Sequence, residues 1–176
     1  MSRFFQWIDQ TNRVIGQWVS YTTLALVLIG SGNAIARYVG KFSGVQLSSN
    51  LYLELQWYLF SLLFLLGAAR TLQRDAHVRV DIFYGRLNPR AKAWLDLMGT
   101  LLFMIPFCGL LIWSSLPTVY HSWQSLEMSP DPGGLARYPI KTLLPVAFTL
   151  LLLQGLCFAG QKIREIFYVK DPSHDA

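Results

Sequence analysis

Residues 74 to 81, Arg-Asp-Ala-His-Val-Arg-Val-Asp, gather two acids, two arginines and a histidine into eight positions. A histidine flanked by carboxylates is the kind of set that moves protons or holds a metal. Convergence is what such a site requires, and His77, His121 and His174 fall in three segments separated by long apolar blocks. They are not expected to meet, which removes support for a metal or haem centre. Cys108 and Cys157 lie in separate apolar stretches, without the close pairing of a redox motif, and read as small packing residues. A bridge between them stays open in principle, because approach of their Cβ atoms is not legible in sequence. The chain carries no Gly-rich phosphate loop, no nucleophile elbow and no paired acids on one helix face, so no enzyme and no cofactor of its own are expected.

The elements around these residues are those of a membrane protein. Of 176 residues, 53% are hydrophobic and only 14% charged, more apolar surface than a water-soluble domain of this size can hide. The net charge of +5 comes from basic residues dispersed between apolar blocks, which argues against a nucleic-acid face. A helix crosses the hydrocarbon core in about 20 residues. Four stretches meet that length, at about 14–36, 51–72, 94–116 and 140–159. The expected fold is an all-α integral membrane protein, a single domain of four transmembrane helices.

The first apolar stretch is longer than a signal-peptide core and no small-residue cleavage site follows it, so a permanent helix is expected. Before it, Phe4, Phe5, Ile8, Ile15 and Trp18 recur at helical spacing, with Arg3, Asp9, Gln10 and Asn12 between them. That N-terminal amphipathic segment suits either a helix lying on the membrane surface or a simple extension of the first span.

Orientation follows from the basic residues. Arg3, Arg13, Arg70, Arg74, Arg79, Arg86, Arg90, Lys92, Lys162, Arg164 and Lys170 fall on one side, against Arg37, Lys41, Arg137 and Lys141 on the other. Both termini are therefore expected in the cytoplasm. On the outer side, the Pro130-Asp-Pro-Gly-Gly134 run is a turn signal, and Trp113, Tyr120, Trp123 and Tyr138 suit an interfacial aromatic belt. Between spans two and three, Asp81 can cap a short cytoplasmic surface helix resting on Ile82, Phe83 and Leu87. Asn88-Pro89 is a cap and first-position pair for the next helix. The opening stretch thus sits at the cytoplasmic membrane edge, where Arg74, Arg86, Arg90 and Lys92 are candidate lipid-headgroup contacts.

Glu54 is the carboxylate inside a span, near its outer end. Two roles are open: a structural pair with Arg37 on the first span, and proton coupling in an independent small transporter. Asn33 and Gln154 are intramembrane amides suited to interhelical hydrogen bonds, and Gly30/Ala34 and Gly155/Ala159 give spacings that allow close helix approach. Neither an internal repeat nor a central carboxylate of the kind a complete secondary transporter uses is present.

Several motifs run in a recognisable order: Glu54-Leu-Gln-Trp-Tyr at the start of span two, His77-Val-Arg-Val-Asp81 and Leu87-Asn-Pro-Arg90 in the middle loop, Leu95-Asp-Leu-Met-Gly99 opening span three, Tyr138-Pro-Ile-Lys141 and Leu144-Pro145 before the last span, and Leu-Leu-Leu-Gln154-Gly155 within it. Over nearly the whole chain this resembles the small membrane subunit (DctQ type) of tripartite ATP-independent periplasmic (TRAP) transporters. The resemblance implies a non-catalytic subunit in the bacterial inner membrane, paired with a large multi-span permease subunit and served by a periplasmic substrate-binding protein. It implies uptake of an organic acid with sodium, the sodium sites lying in the large subunit. On the matching motifs, Glu54, Trp57, His77, Arg79, Asp81, Asp96 and Gln154 are candidate structural or subunit-interface residues, and Arg37, at the outer end of span one within reach of Glu54, joins them.

Overall fold

The computed structural model describes residues 3–45, 47–75 and 84–168. Helix α1 runs Arg3–Ser43, α2 Asn50–Gln73, α3 Pro89–Gln124 and α4 Tyr138–Tyr168. All four are long and apolar enough to cross a membrane. The N-terminus, the α2–α3 connection and the end of α4 share what we term the basal end; the α1–α2 and α3–α4 connections form the distal end. Helix α4 packs against each of the other three. A third of its most apolar window is buried, against 6% for α2, which makes α4 the axis of the bundle.

Each helix extends beyond its apolar stretch, because backbone hydrogen bonding continues wherever nothing breaks it, whereas hydropathy marks only the apolar part. Helix α1 is the extreme case: its 41 residues run without interruption through the N-terminal amphipathic segment, which forms the first turns of α1 and not a separate helix. The buried stripe there is Ile8, Asn12, Gly16 and Val19, at steps of four, four and three, while Trp18 points outward. This stripe faces the bundle. The start of the surface helix expected after span two, Asp81 to Phe83, lies outside the described residues, as do His77 and Arg79, while Leu87, on which that helix is expected to rest, is exposed in a bend.

Local chemistry sets the helix ends. Ser49 caps α2, its hydroxyl accepting the Leu51 N–H at 3.2 Å. Asn88 has the expected extended cap conformation before Pro89, but its side chain makes no capping bond. Within α3, residues Thr100–Met104 form a π turn, closed by the Ile105 N–H donating to the Thr100 carbonyl. Pro106 follows at once. A proline ring collides with the preceding turn of an α-helix and supplies no N–H, and a widened turn accommodates both faults. Pro106 is thus accommodated by the π turn just before it.

Packing relies on small side chains, as expected where lipid competes with protein for apolar contact. Ala93, Leu97, Ala159 and Ile166 form a buried cluster between α3 and α4. Gly155 faces the Met104 side chain of the π turn, and Gly30 lies against the Gln56 amide of α2. Cys108 and Cys157 are both buried and both free thiols, so no bridge joins them.

Candidate functional site: polar clasps at the two ends of the bundle

At the basal end a buried amide network ties three helices together. Gln154 on α4 is 1% exposed and Asn12 on α1 is 2% exposed. Asn12 Nδ2 donates to Gln154 Oε1 at 2.7 Å, and Gln154 Nε2 donates to the Asp9 carboxylate at 3.0 Å. From α2, Gln73 Nε2 donates to the Asp9 backbone carbonyl at 2.7 Å, and Gln73 itself accepts from Arg70. The stem of Arg70 lies over Gly16, where a Cβ would collide with it. Of Asp9 and Asn12, read as the water-facing side of an amphipathic helix, Asn12 is therefore buried and Asp9 half-buried against the bundle. Only the steps from Ile8 to Asn12, Gly16 and Val19 could have signalled this.

Beside that network, Lys162 on α4 bridges Asp96 on α3 at 3.3 Å and Glu165 at 3.1 Å. Tyr84 Oη donates to Asp96 Oδ2 at 2.9 Å. Both members of the Lys162–Asp96 pair are largely buried, so its geometry and extra hydrogen bonds matter more than its charge alone. Asp96 is thus held within the chain. Of the candidate headgroup contacts, Arg74, Arg86 and Arg90 are exposed at this end, whereas Lys92 lies over the Tyr84 ring at 5.3 Å.

At the distal end, the α3–α4 connection folds as a small hairpin and closes on α2. Met128 and Ala136 form an isolated antiparallel bridge, and Gly133 takes the left-handed backbone that the turn needs. The hairpin presents two donors to Glu54: the Ser129 hydroxyl and the Leu135 N–H. Gly134 sits so close to the carboxylate and to Ser129 that a side chain there would displace them. The expected Glu54–Arg37 pair is therefore replaced by a clasp to the hairpin. Arg37 instead is exposed and lines a cavity of about 550 Å³ with Asn33, Ser48, Ser49 and Asn50. The physical reason is reach: the hairpin brings paired donors onto the first turns of α2, while the Arg37 side chain faces the α1–α2 connection. Trp57, one turn further along α2, is 70% exposed.

A second clasp closes the same hairpin from α4. Glu127 accepts from Lys141 and, at 2.6 Å, from the Ser122 hydroxyl. Trp123 Nε1 donates to Thr142 Oγ1 at 2.8 Å, and its ring meets Tyr138 edge-on at 4.6 Å. Two of the expected belt residues thus join α3 to α4, while Trp113 and Tyr120 are exposed. The Lys141 ammonium, then the Ser122 hydroxyl, hold the Glu127 carboxyl below the ordinary glutamate value. A depressed carboxyl stabilises the fold fully above the unfolded-chain pKa, about 4.3, and loses that contribution as pH falls through the lower folded value. The protection of the hairpin amides, corrected for intrinsic exchange rates, is accordingly expected to fall on acidification through the lowered Glu127 value in the wild type. The Glu127→Gln variant should exchange faster at neutral pH and show a weaker acid response.

Neither clasp leaves a group poised for chemistry, since each carboxylate is held by donors from another element. Among the described residues no three His, Cys, Asp or Glu side chains gather as metal ligands. The charges are segregated: no Asp, Glu, Lys or Arg occurs at 14–36, 55–69, 97–126 or 142–161.

The family model described as "Tripartite ATP-independent periplasmic transporters, DctQ component" matches residues 26–165. Comparison with curated proteins gives no match. The matched segment takes in the second half of α1, from residue 26, and all of the next two helices, and ends three residues before α4 does. This family is a transporter component and not an enzyme family, and its match together with four span-length helices makes the chain a multi-pass membrane protein. The chain belongs to the DctQ component family of TRAP transporters, the small permease component.

Proposed function

We propose that this small permease component acts as a membrane scaffold. It braces a large multi-span permease subunit during sodium-coupled uptake of an organic acid delivered by a periplasmic binding protein. The basal end and both termini face the cytoplasm of a bacterium, and the distal end faces the periplasm. The observation that carries the reading is the segregation of charge. The ionisable groups of the clasps lie toward one end or the other, where Asp9, Glu54, Asp96 and Glu127 tie elements together, and the intervening spans carry no charged side chain. A carrier needs a charged or polar site that alternates between two sides; a brace needs rigid ends. Sodium and substrate sites belong, on this reading, to the large subunit. Exposed Trp57 on α2 is a surface offered to it, the sequence motif of His77, Arg79 and Asp81 is a second proposed contact, and the exposed Arg74, Arg86 and Arg90 meet anionic headgroups.

The independent-transporter reading of Glu54 finds little support, because its carboxylate already accepts two hydrogen bonds from the distal hairpin. Reconstitution of the large subunit and binding protein into liposomes, with and without this chain, tests the scaffold. Uptake is expected to fall at least ten-fold without the chain, and the chain alone should carry none. Undiminished uptake in its absence would remove the proposed role.

A further inference from the structure

The distal end carries a second feature that the clasps do not use. A cavity of about 220 Å³ opens between α2 and α4, lined by Trp57, Tyr58, Arg137, Ile140 and Lys141 beside Glu54. It adjoins an almost wholly apolar groove of about 350 Å³ along Leu62, Pro139, Leu143 and Val146. Tyr58 and Ile140 line both, so the two adjoin, the first bordered by the charged Arg137, Lys141 and Glu54 and the second apolar.

The polar part has donors without acceptors. The Tyr58 hydroxyl is buried and has no hydrogen-bond partner. An unsatisfied buried donor costs about 1–3 kcal/mol, so an acceptor from outside the chain would be favoured there. Glu54 lies nearby but is already engaged by Ser129 and Leu135, and Lys141 is taken by Glu127. Arg137 stands within electrostatic reach of Glu54, Glu127 and Tyr58, yet its guanidinium hydrogen-bonds no described residue. A ligand that fits must therefore bring an anion rich in acceptor oxygens at one end and hydrocarbon at the other. Depth agrees: Tyr58 is two turns into α2, and helical side chains lean toward the N-terminal end, here the distal one.

We propose that this recess holds a phospholipid of the distal leaflet, its phosphate accepting hydrogen bonds from Arg137 and the Tyr58 hydroxyl and one acyl chain lying in the Leu62–Leu143–Val146 groove. A phosphodiester has two free oxygens, one for each donor, and guanidinium geometry suits it. A helix from a partner protein would fill the groove but leave both donors unanswered. The proposal needs only that the chain span a membrane, so it stands or falls separately from the scaffold reading.

The full-length chain, purified in mild detergent from membranes, is tested by native mass spectrometry and by counting phospholipid phosphorus per chain after exhaustive washing. One retained phospholipid per wild-type chain is expected, with at least ten-fold less in Arg137→Gln and in Leu143→Trp, which blocks the groove. Tyr58→Phe removes a single hydroxyl with little threat to folding and should lower retention several-fold. Equal retention in wild type and Tyr58→Phe, or no retained lipid in the wild type, would overturn the proposal. So would displacement of the lipid by 10 mM inorganic phosphate, which would mark a free-phosphate site. A photo-crosslinker at Leu143 that captures protein and not lipid in native membranes would overturn it as well.

Discussion

Gln154→Leu is expected to destabilise the bundle by about 2 kcal/mol, measured by reversible unfolding in mild detergent. Leucine nearly matches glutamine in volume, so the cavity contribution is small and the loss is polar. Two interhelical hydrogen bonds disappear together, leaving the buried Asn12 amide and the half-buried Asp9 carboxylate each short of a partner. A single interhelical hydrogen bond in a membrane averages about 0.6 kcal/mol, because the unfolded chain also finds partners. Stranding a carboxylate raises the figure, since bonds to charged groups contribute about 1.5–3 kcal/mol. Removing both ends of one bond, as in Asn12→Leu with Gln154→Leu, should cost less than the sum of the two single changes by about 1 kcal/mol. Leu156→Ala, at an exposed position of the same helix, is the control. A Gln154→Leu variant no less stable than that control would show that the network does not hold the helices.

The second large effect is expected at Glu54. Glu54→Ala removes the acceptor for Ser129 and Leu135 at once, and hydrogen exchange of the 125–137 hairpin should accelerate about 100-fold. Glu54→Gln keeps one oxygen but turns an amide NH₂ toward a donor, so about a ten-fold acceleration is expected. In transport by the reconstituted assembly, the same Glu54→Gln variant should leave proton dependence unchanged. A flattened pH profile with an intact hairpin would instead point to a coupling role for this carboxylate.

Sequence made the number and placement of the spans legible, because apolar length is a local property. All four apolar stretches fall inside α1 to α4. Gln154 was likewise legible as an interhelical amide, since an apolar neighbourhood leaves it no water. Its partners were not: Asn12 and Asp9 are 142 and 145 residues away, on a stretch whose alternating polarity reads equally well as a surface helix. Glu54 shows the same limit. Arg37 was the nearest opposite charge in the topology, but the donors come from a hairpin 75 and 81 residues on, one of them a backbone N–H that no side-chain pattern announces. The π turn was invisible because it depends on how Pro106 and Gly155 are accommodated together.

That π turn also changes how α3 is read. One residue more per turn shifts the phase of everything beyond it by about 100°. Thr100 at the start of the turn and Cys108 beyond it are both buried, and Met104 between them meets Gly155 of α4. The helix thus behaves like two cog wheels on one axle, offset by an extra tooth: Asp96 meshes with Lys162 on one, Ser122 with Glu127 on the other. No single helical wheel can display both alignments.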